Sequence, residues 1–394
     1  MGTGQPGKNQ FIRYCRRCVM PETKPDLHID AAGICSACRY YEQRKEVDWA
    51  KRKKELLGIL DRYRSPDGTN YDCIIPVSGG KDSTFMVVKM LELGMNPLCV
   101  TATTCMLTEI GRRNIENIKW LGVDYIEVTT NPRVRRKINR LALEQVGDIS
   151  WPEHVSIFTI PVRVAVQFGI PLLIWGENSQ NEYGGPAGSA ENNILDRRWL
   201  EEFGGLLGLR VSDLVGQKGI RAQDLIQFTY PPDEELRRAG VTGLFLGYYL
   251  PWDGYHNALF SQAHGFESYP HVTEGSIVNY ENLDNYQVGI HEYFKYLKFG
   301  FGRASDHACL HIRRGRLTRE EGIKLVRIHD GMFPWTYLGY PLGKVLAEMD
   351  MNLEEFVQVC DRFTNKKIFK MDAFGNLTKD QNGRPIKINY DNID

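Results

Sequence analysis

Residues 73–94 read CIIPVSGGKDSTFMVVKMLELG, and this stretch decides the class of fold. The apolar residues 73–77 predict a short buried strand, residues 78–83 a tight loop, and the residues after them a helix that stops at Gly94. Glycine allows a sharp backbone turn, and the start of a helix presents N–H groups and the positive end of its dipole. The stretch therefore predicts an anion-binding loop between a strand and a helix.

The spacing of this loop separates it from two common phosphate-binding motifs. It has neither the G-x-x-x-x-G-K-[ST] spacing of a Walker loop nor the G-x-G-x-x-G dinucleotide fingerprint. It resembles the S-G-G-x-D-S loop of the N-type ATP pyrophosphatases. The resemblance implies cleavage of ATP to AMP and pyrophosphate, with Lys81 and Asp82 as catalytic residues and Asp82 near a magnesium ion. The residues expected to bind the pyrophosphate are Ser78, Gly79, Gly80, Lys81, Asp82 and Ser83.

Strand and helix patterns continue to alternate after the loop. A helix is predicted over residues 109–121, and Asn131 with Pro132 has the cap and first-turn chemistry of another. This order predicts an α/β fold with an open, mostly parallel, Rossmann-like sheet, and the resemblance of the loop implies the adenine nucleotide alpha hydrolase type. Ligands of such sheets lie beyond the carboxyl ends of the strands. The further strands are predicted over residues 97–103, 123–128 and 170–175.

Polar side chains lie at the ends of two of these strands. Thr101 and Thr103 are expected near the adenosine of ATP. Glu177 and Glu182 are candidate magnesium ligands, and Asn178 is a candidate substrate-binding residue. The alternative for the last three is an ordinary polar loop.

Four of the nine cysteines form two C-x-x-C pairs near the start of the chain. Cys15 with Cys18, and Cys35 with Cys38, have the spacing of a zinc ribbon, in which four thiolates enclose one tetrahedral ion. Such a site has no open position, so the predicted zinc is structural. An iron–sulfur cluster and four unligated cysteines are the alternatives.

The bulk composition excludes several classes of protein. The 49 basic and 49 acidic residues cancel, which argues against a general attraction to nucleic acid. No apolar run is long enough to span a membrane, and residues 1–10 are polar and Gly-rich, unlike a secretory signal. We therefore expect a cytoplasmic protein without a membrane span.

The 394 residues divide into four predicted regions. Residues 1–45 form the zinc-binding module, and residues 46–68 a linker helix. Residues 69–320 form the ATP pyrophosphatase domain with substrate-binding insertions, and residues 321–394 a C-terminal helical and tail region. The charged stretch 42–64 is interpreted as a solvated helix, with a nucleic-acid contact as the alternative.

Residues 283–314 predict a long aromatic and basic helix that ends in a Gly-rich turn. That turn carries Arg303, Asp306 and His307, which are candidate substrate-binding residues. Packing against the core is the alternative for the aromatic side chains. Thr318 with Glu321 predicts a capping box at the start of the next helix.

Four segments together resemble the N-acetyl sugar amidotransferases of bacterial surface-polysaccharide, O-antigen and flagellin-sugar synthesis. They are CRRCVMPETKPDLHIDAAGICSAC at 15–38, IIPVSGGKDS at 74–83, WGENSQNEYGG at 175–185 and FGFGRASDHACLHIRRG at 299–315. The resemblance implies that ATP and ammonia convert an acetamido group of an acidic sugar to an acetamidino group through an adenylylated intermediate. UDP-linked di-N-acetylated mannuronic acid and pseudaminic acid are the implied substrates.

The resemblance also implies two partners: a glutaminase that supplies ammonia and a channel-forming protein, similar to the histidine-biosynthesis pair. The sequence agrees, since residue 2 is Gly rather than a nucleophilic Cys and no G-x-C-x-G elbow surrounds the other cysteines. The main rival is a tRNA thiolation enzyme with Cys105 or Cys309 in sulfur transfer, and the zero net charge counts against it. A zinc-stabilised scaffold that binds ATP without cleaving it is the rival from another class.

Overall fold

The computed structural model of the chain describes residues 12–176, 194–195 and 207–388. A six-stranded sheet lies at its centre, with strands β1 Cys73–Pro76, β2 Pro97–Thr103, β3 Asp124–Thr129, β4 Leu172–Trp175, β5 Ile194–Leu195 and β6 Thr242–Phe245. The strand order is β3-β2-β1-β4-β6-β5. All neighbouring pairs are parallel except β5 and β6, which are antiparallel. The predicted open, mostly parallel α/β sheet is confirmed.

The order of the strands creates a crevice at the middle of this sheet. The chain passes from β1 outward to β2 and β3, and then returns to the other side of β1 with β4 and β6. β1 pairs with β2 from Cys73 opposite Pro97, and with β4 through Ile74 and Leu173. The carboxyl ends of β1, β2 and β4 therefore face one switch point, where ligands of open α/β sheets bind.

Helices cover both faces of the sheet and form the rest of the molecule. They are α1 Ser36–Gln43, α2 Trp49–Leu60, α3 Lys81–Glu92, α4 Glu109–Lys119, α5 Pro132–Val146, α6 Trp151–Phe168, α7 Asp233–Ala239, α8 Leu246–Tyr249, α9 Gly254–Gln262, α10 Val288–Phe299, α11 Arg303–Arg313, α12 Arg319–His329, α13 Leu342–Ala347 and α14 Leu353–Phe363. A two-stranded sheet, β7 Thr336–Tyr337 and β8 Tyr340–Pro341, precedes α13. Within the described ranges, none of the helices has the length and apolar character needed to cross a membrane.

The cysteine-rich start of the chain packs against its C-terminal helices. Residues 12–38 share one hydrophobic core with α10, α11, α13 and α14. Thr23 Oγ1 also donates a hydrogen bond of 2.5 Å to the carbonyl of Phe299. This core contains residues from both sides of the predicted boundary at residue 320, so the small module gains stability from distant helices as well as from any bound metal.

Two predicted helices differ from those in the structure. The charged stretch 42–64 contains the end of α1, a 3-10 turn and α2; Lys51, Lys53 and Lys54 on α2 are exposed, as expected for a solvated helix face, while Leu56 and Leu60 on its other face are fully buried in the core beside the sheet. The stretch 283–314 forms two helices, α10 and α11, which are separated where Gly300 takes a φ of 74°. Positive φ ends α10 at that point.

Candidate functional site

The loop between β1 and α3 has the backbone geometry of an anion cradle. Gly79 has a φ of 86°, and a Cβ there would lie 3.0 Å from the Ile115 side chain, so only glycine fits. The Ser78 N–H donates to Ser83 Oγ over 3.0 Å, which closes the turn. Gly80 occupies the N-cap of α3 and has no side chain to cap it. The first N–H groups of α3 therefore point toward the cleft with the positive end of the helix dipole.

The two charged residues of the loop are held by α9. Asn257 Nδ2 donates to Asp82 Oδ1 over 2.8 Å, and Ser261 Oγ donates to the Lys81 carbonyl over 2.6 Å. The side chains of Asn257 and Ser261, both on α9, are fully buried. Lys81 also forms an ion pair with Asp82. The position of the loop thus depends on residues about 175 positions further along the chain.

A second carboxylate meets the loop lysine from the C-terminal part of the chain. Lys81 Nζ lies 2.8 Å from Glu281 Oε1. His307 Nε2 is 3.9 Å from the same oxygen, and His307 Nδ1 is 2.9 Å from Ser276 Oγ. Burial lowers the pKa of His307 well below its usual range, and the charge of Arg303 adds to that effect. The imidazole is therefore neutral at pH 7 and serves as a hydrogen-bonding group.

Burial raises the pKa of Asp82, and the nearby Glu281 adds to it, although Lys81 and Asn257 oppose the shift. Two partly exposed carboxylates thus share the charge of one buried lysine. Oxygen ligands of this kind suit Mg²⁺, which would supply the charge that they lack. Asp82 and Glu281 are therefore the described residues that fit a magnesium ion beside bound phosphates.

A cleft of about 170 Å³ opens at the carboxyl ends of β1, β2 and β4. It is lined by Ser78, Ser83 and Thr101, among others. The Thr101 hydroxyl is already hydrogen-bonded to the Val77 carbonyl over 2.6 Å, so it contributes shape rather than a free donor. Thr103 is buried outside this lining, and Thr104 faces the cleft in its place.

Asp284 and Trp175 are cleft residues that the sequence did not reveal. Burial raises the pKa of Asp284 to about 6. The indole N–H of Trp175 is buried and has no hydrogen-bond acceptor among the described residues. Both groups line the same cleft and are suited to a polar ligand. For Trp175 the reason is that an unsatisfied buried donor carries a free-energy cost, which a ligand that accepts its hydrogen bond can remove.

Two of the three C-terminal candidates lie apart from the loop. Arg303 Nε donates to Glu292 Oε1 over 2.9 Å, and Asp306 forms an ion pair with Lys295. Burial alone would raise the pKa of Glu292, but Arg303 and Lys295 outweigh it and lower the pKa to about 2. Arg303 and Glu292 line a separate cavity of about 430 Å³.

The structure brings the third candidate, His307, to the residues around the loop. All three lie in the first turns of α11 rather than in a turn after a long helix. The candidates Glu177, Asn178 and Glu182 lie outside the described residues.

The four predicted zinc ligands meet in one buried cluster. The Sγ atoms of Cys15, Cys18, Cys35 and Cys38 all lie within 4.8 Å of one another. Hydrogen bonds from the other three thiols lower the pKa of Cys15, whereas Cys15 and its neighbours raise the pKa of Cys35 and Cys38. The thiols therefore cannot all ionise without a cation. Four converging sulfur ligands with this requirement fit a zinc ion.

The sheet order, the loop at the end of β1 and the adjoining cleft define an open α/β protein whose loop has a pyrophosphate-type sequence. Residues 268–380 match the family described as LPS biosynthesis protein WbpG-like, C-terminal domain. This match fits the resemblance to surface-polysaccharide amidotransferases. Glu281 and His307 belong to the matched segment.

Two further proteins are similar over parts of the chain. The uncharacterized protein MJ1599 of Methanocaldococcus jannaschii is 31% identical over 107 residues, which is 26% of this chain. The chain spans 38% of the length of that relative. The structure of NMN synthetase from Francisella tularensis aligns with 49% of this chain and 93% of its own, at 13% identity and a TM-score of 0.28. A TM-score that low establishes neither a shared fold nor a shared activity.

Proposed function

We propose that the protein is an ATP-dependent amidotransferase that converts an acetamido group of an acidic sugar to an acetamidino group. The observation that carries the proposal is the 2.8 Å ion pair between Lys81 and Glu281. It joins the pyrophosphate-type loop to the segment that matches a lipopolysaccharide-biosynthesis domain. ATP and a sugar substrate would therefore meet in one site rather than in two independent domains.

The chemistry explains why ATP is needed. An amide carbonyl is a weak electrophile, and its oxygen cannot leave as oxide. In the proposed reaction the acetamido oxygen attacks the α-phosphorus of ATP, pyrophosphate leaves, and the amide proton is released to give an O-adenylyl imidate. Ammonia then adds to the imidate carbon. The C–O bond breaks, AMP leaves with the former amide oxygen, and the amidine remains. The balance is amide, ATP and ammonia on one side and amidine, AMP and pyrophosphate on the other.

The loop residues would act by position and charge. Ser78, Ser83 and the first N–H groups of α3 would hold the departing pyrophosphate, and Lys81 would neutralise its growing charge. Asp82 and Glu281 would hold magnesium, which supplies further charge neutralisation on the phosphates. The neutral His307 would keep Glu281 in place through its position beside that carboxylate.

Ammonia would come from separate proteins. We propose a glutaminase and a channel-forming partner, similar to the histidine-biosynthesis pair. The expected substrate is UDP-linked di-N-acetylated mannuronic acid, and the expected compartment is the cytoplasm, where ATP is available.

A tRNA thiolation activity is less well supported, because burial raises the pKa of Cys105 to about 12 and Cys309 is fully buried, which are poor settings for a nucleophilic thiolate.

The test is the release of pyrophosphate and AMP from ATP by the whole chain with Mg²⁺ and ammonium. The assay is run with and without UDP-linked di-N-acetylated mannuronic acid, and the product is examined by mass spectrometry. Sugar-dependent release, with a product about 1 Da lighter as oxygen is replaced by NH, is the expected result. Release that needs tRNA and a sulfur donor instead would contradict the proposal, as would glutamine hydrolysis by this chain alone.

A further inference from the structure

A cavity of about 620 Å³ lies beside α3 and shares no lining residue with the cleft at the sheet. Its walls come from α1 and α2, from α3 and from residues 250–253. Its aromatic and cationic lining includes Tyr41, Lys45, Trp49, Lys53, Lys89 and Trp252. We call this cavity the α3 groove. Its volume is within the range of small-molecule sites, and its lining combines rings with positive charge.

The positive charge of the α3 groove is only partly neutralised. Lys89 forms an ion pair of 2.8 Å with Glu92, and Arg314 lies 3.2 Å from Asp253. Lys45 and Lys53 are exposed, and among the described residues neither has an acidic partner within ion-pairing distance. Two lysines at one opening, with no acid to neutralise them, favour an anionic ligand such as a phosphate or diphosphate.

The rings supply a second, independent feature of a nucleotide site. Trp252 is buried, and Trp49 and Tyr41 are half-buried at the wall of the groove. The Arg44 guanidinium lies 5.4 Å from the centre of the Trp49 ring, and Lys45 Nζ lies 5.8 Å from the centre of the Tyr41 ring. Aromatic faces beside cations suit a base that stacks and a diphosphate that pairs.

The α3 groove extends toward the loop site. Phe85 and Lys89 line it, and they follow Lys81 at intervals of four residues on the same face of α3. Asp253 lines its wall, and a Cβ on the next residue, Gly254, would lie 3.6 Å from Lys81 Nζ. One wall of the groove thus continues into a residue that lies against the lysine that we place at the reacting phosphates.

We propose that the α3 groove binds the nucleoside diphosphate of a nucleotide-linked sugar, with the sugar directed toward Lys81. The inference rests on the proposed function for its sugar, but the groove itself is separate from the residues of the loop. It selects a nucleotide-linked substrate over the free sugar. The base stacks on the aromatic wall, and the diphosphate pairs with Lys45 and Lys53.

The test measures UDP binding to the whole chain by calorimetry, at fixed salt and with the loop site saturated by a non-hydrolysable ATP analogue. The double variant K45E/K53E is compared with K51E/K54E, which reverses two exposed lysines of α2 that do not line the groove. We expect K45E/K53E to weaken UDP binding by about tenfold or more and K51E/K54E to change it by less than about twofold. Trp49→Ala is expected to weaken it by about tenfold through lost stacking.

Three results would overturn the inference: no UDP binding by the unaltered chain, equal losses in the two double variants, or a structured RNA as the ligand whose affinity depends on Lys45 and Lys53. The same variants separate this inference from the proposed function. If UDP binds as expected but no sugar triggers pyrophosphate release, the proposed reaction fails while the groove stands. If release occurs with the same KM for UDP-linked sugar in both double variants, the groove assignment fails while the reaction stands.

Discussion

The four-cysteine cluster and the loop at residues 78–83 are both short sequence motifs, but they become sites in different ways. The cysteines supply a complete set of ligands from residues 15–38, and their sulfur atoms lie within 4.8 Å of one another. The loop supplies a backbone cradle and two charges, and it needs Asn257, Glu281 and His307 to complete its surroundings. A motif can therefore specify a metal site by itself, whereas it specifies only part of a catalytic site.

The two regions also differ in their surroundings. The cysteines are fully buried in a core shared with the C-terminal helices, and Arg319 Nε donates to the Cys18 carbonyl over 3.2 Å. The carboxylates around Lys81 remain partly exposed, with relative side-chain exposures of 26% for Asp82 and 19% for Glu281. Changes at the cysteines should therefore act on stability, and changes at the loop on turnover.

The largest expected effect follows Cys18→Ser. Loss of one thiolate should release zinc and lower the free energy of unfolding by more than about 3 kcal/mol, because metal binding and folding are coupled in such modules. Metal analysis and thermal unfolding of the purified chain measure both effects. Cys105→Ser, at a cysteine outside the cluster, is the control and should keep its zinc. Unchanged stability after zinc loss would show that the shared core holds the module without metal.

Asp82→Ala tests the loop at residues 78–83, where changes are expected to act on turnover. We expect sugar-dependent pyrophosphate release to fall by about 1,000-fold or more, with thermal stability nearly unchanged, since the change removes a partly exposed carboxylate from a site built for charged ligands. Asp61→Asn, at the exposed end of α2, is the control. AMP formation at the normal rate in the Asp82 variant would contradict the assigned role.

Glu281→Gln sharpens the claim that the distant segment completes the loop site. The change keeps the shape of the side chain but removes the charge that pairs with Lys81. We expect turnover to fall by about 10- to 100-fold, because the proposed magnesium site loses the charge of one of its two carboxylates. Glu267→Gln alters an exposed ion pair with Arg113 and should leave turnover unchanged. Equal turnover in both variants would separate residues 268–380 from the chemistry.

Arg319→Ala tests whether α12 supports the cysteine cluster. Its guanidinium donates to the carbonyls of Cys15 and Cys18, which stiffens the first C-x-x-C turn. Its loss should lower the free energy of unfolding by about 1–2 kcal/mol. Chelator-induced unfolding should also become faster, and Arg319→Lys should restore part of the stability. No difference in either measurement would show that the cysteines need no support from α12.

The smallest expected effect concerns a buried cluster that belongs to neither region. Asp148 Oδ1 lies 2.7 Å from His291 Nδ1, and Asp148 Oδ2 lies 3.2 Å from His154 Nδ1. Burial alone would raise the pKa of Asp148 and lower the pKa of His154. The charges of His291 and His154 outweigh burial and lower the pKa of Asp148 well below its usual range, and Asp148 in turn raises the pKa of His154.

The pH dependence of this cluster follows from the lowered pKa of Asp148 and the raised pKa of His154. The contribution of His154 is full below its unfolded pKa of about 6.5 and is lost as pH rises through its folded pKa, whereas that of Asp148 is lost at acid pH. His154→Ala should therefore lower the free energy of unfolding on the order of 1 kcal/mol near pH 6, and by less near pH 9. Urea unfolding at the two pH values measures this, and a larger loss at the alkaline value would reverse the assigned sign.

Local chemistry explains which elements could be predicted. Asn131 caps α5 with Pro132 in its first turn, and Thr318 with Glu321 forms the capping box at α12. These features depend on residues within one turn, and so the sequence reveals them. The helix expected before a Gly-rich turn is α10, which ends at Gly300, but Arg303, Asp306 and His307 were expected in that turn and instead open the second helix, α11.

By itself, the sequence determined the alternation of strands and helices, the loop with Gly79 in positive φ, and the cysteine ligand set. Each of these depends on residues that are close along the chain, where spacing and local propensity decide the outcome. Only the tertiary structure decided that Asn257, Glu281 and His307 surround Lys81 and Asp82, and that Arg303 and Asp306 pair elsewhere. Those positions depend on how α9 packs against α3 and on how Glu281 and α11 meet the loop from the C-terminal part of the chain, and no local pattern carries the geometry of such long-range contacts.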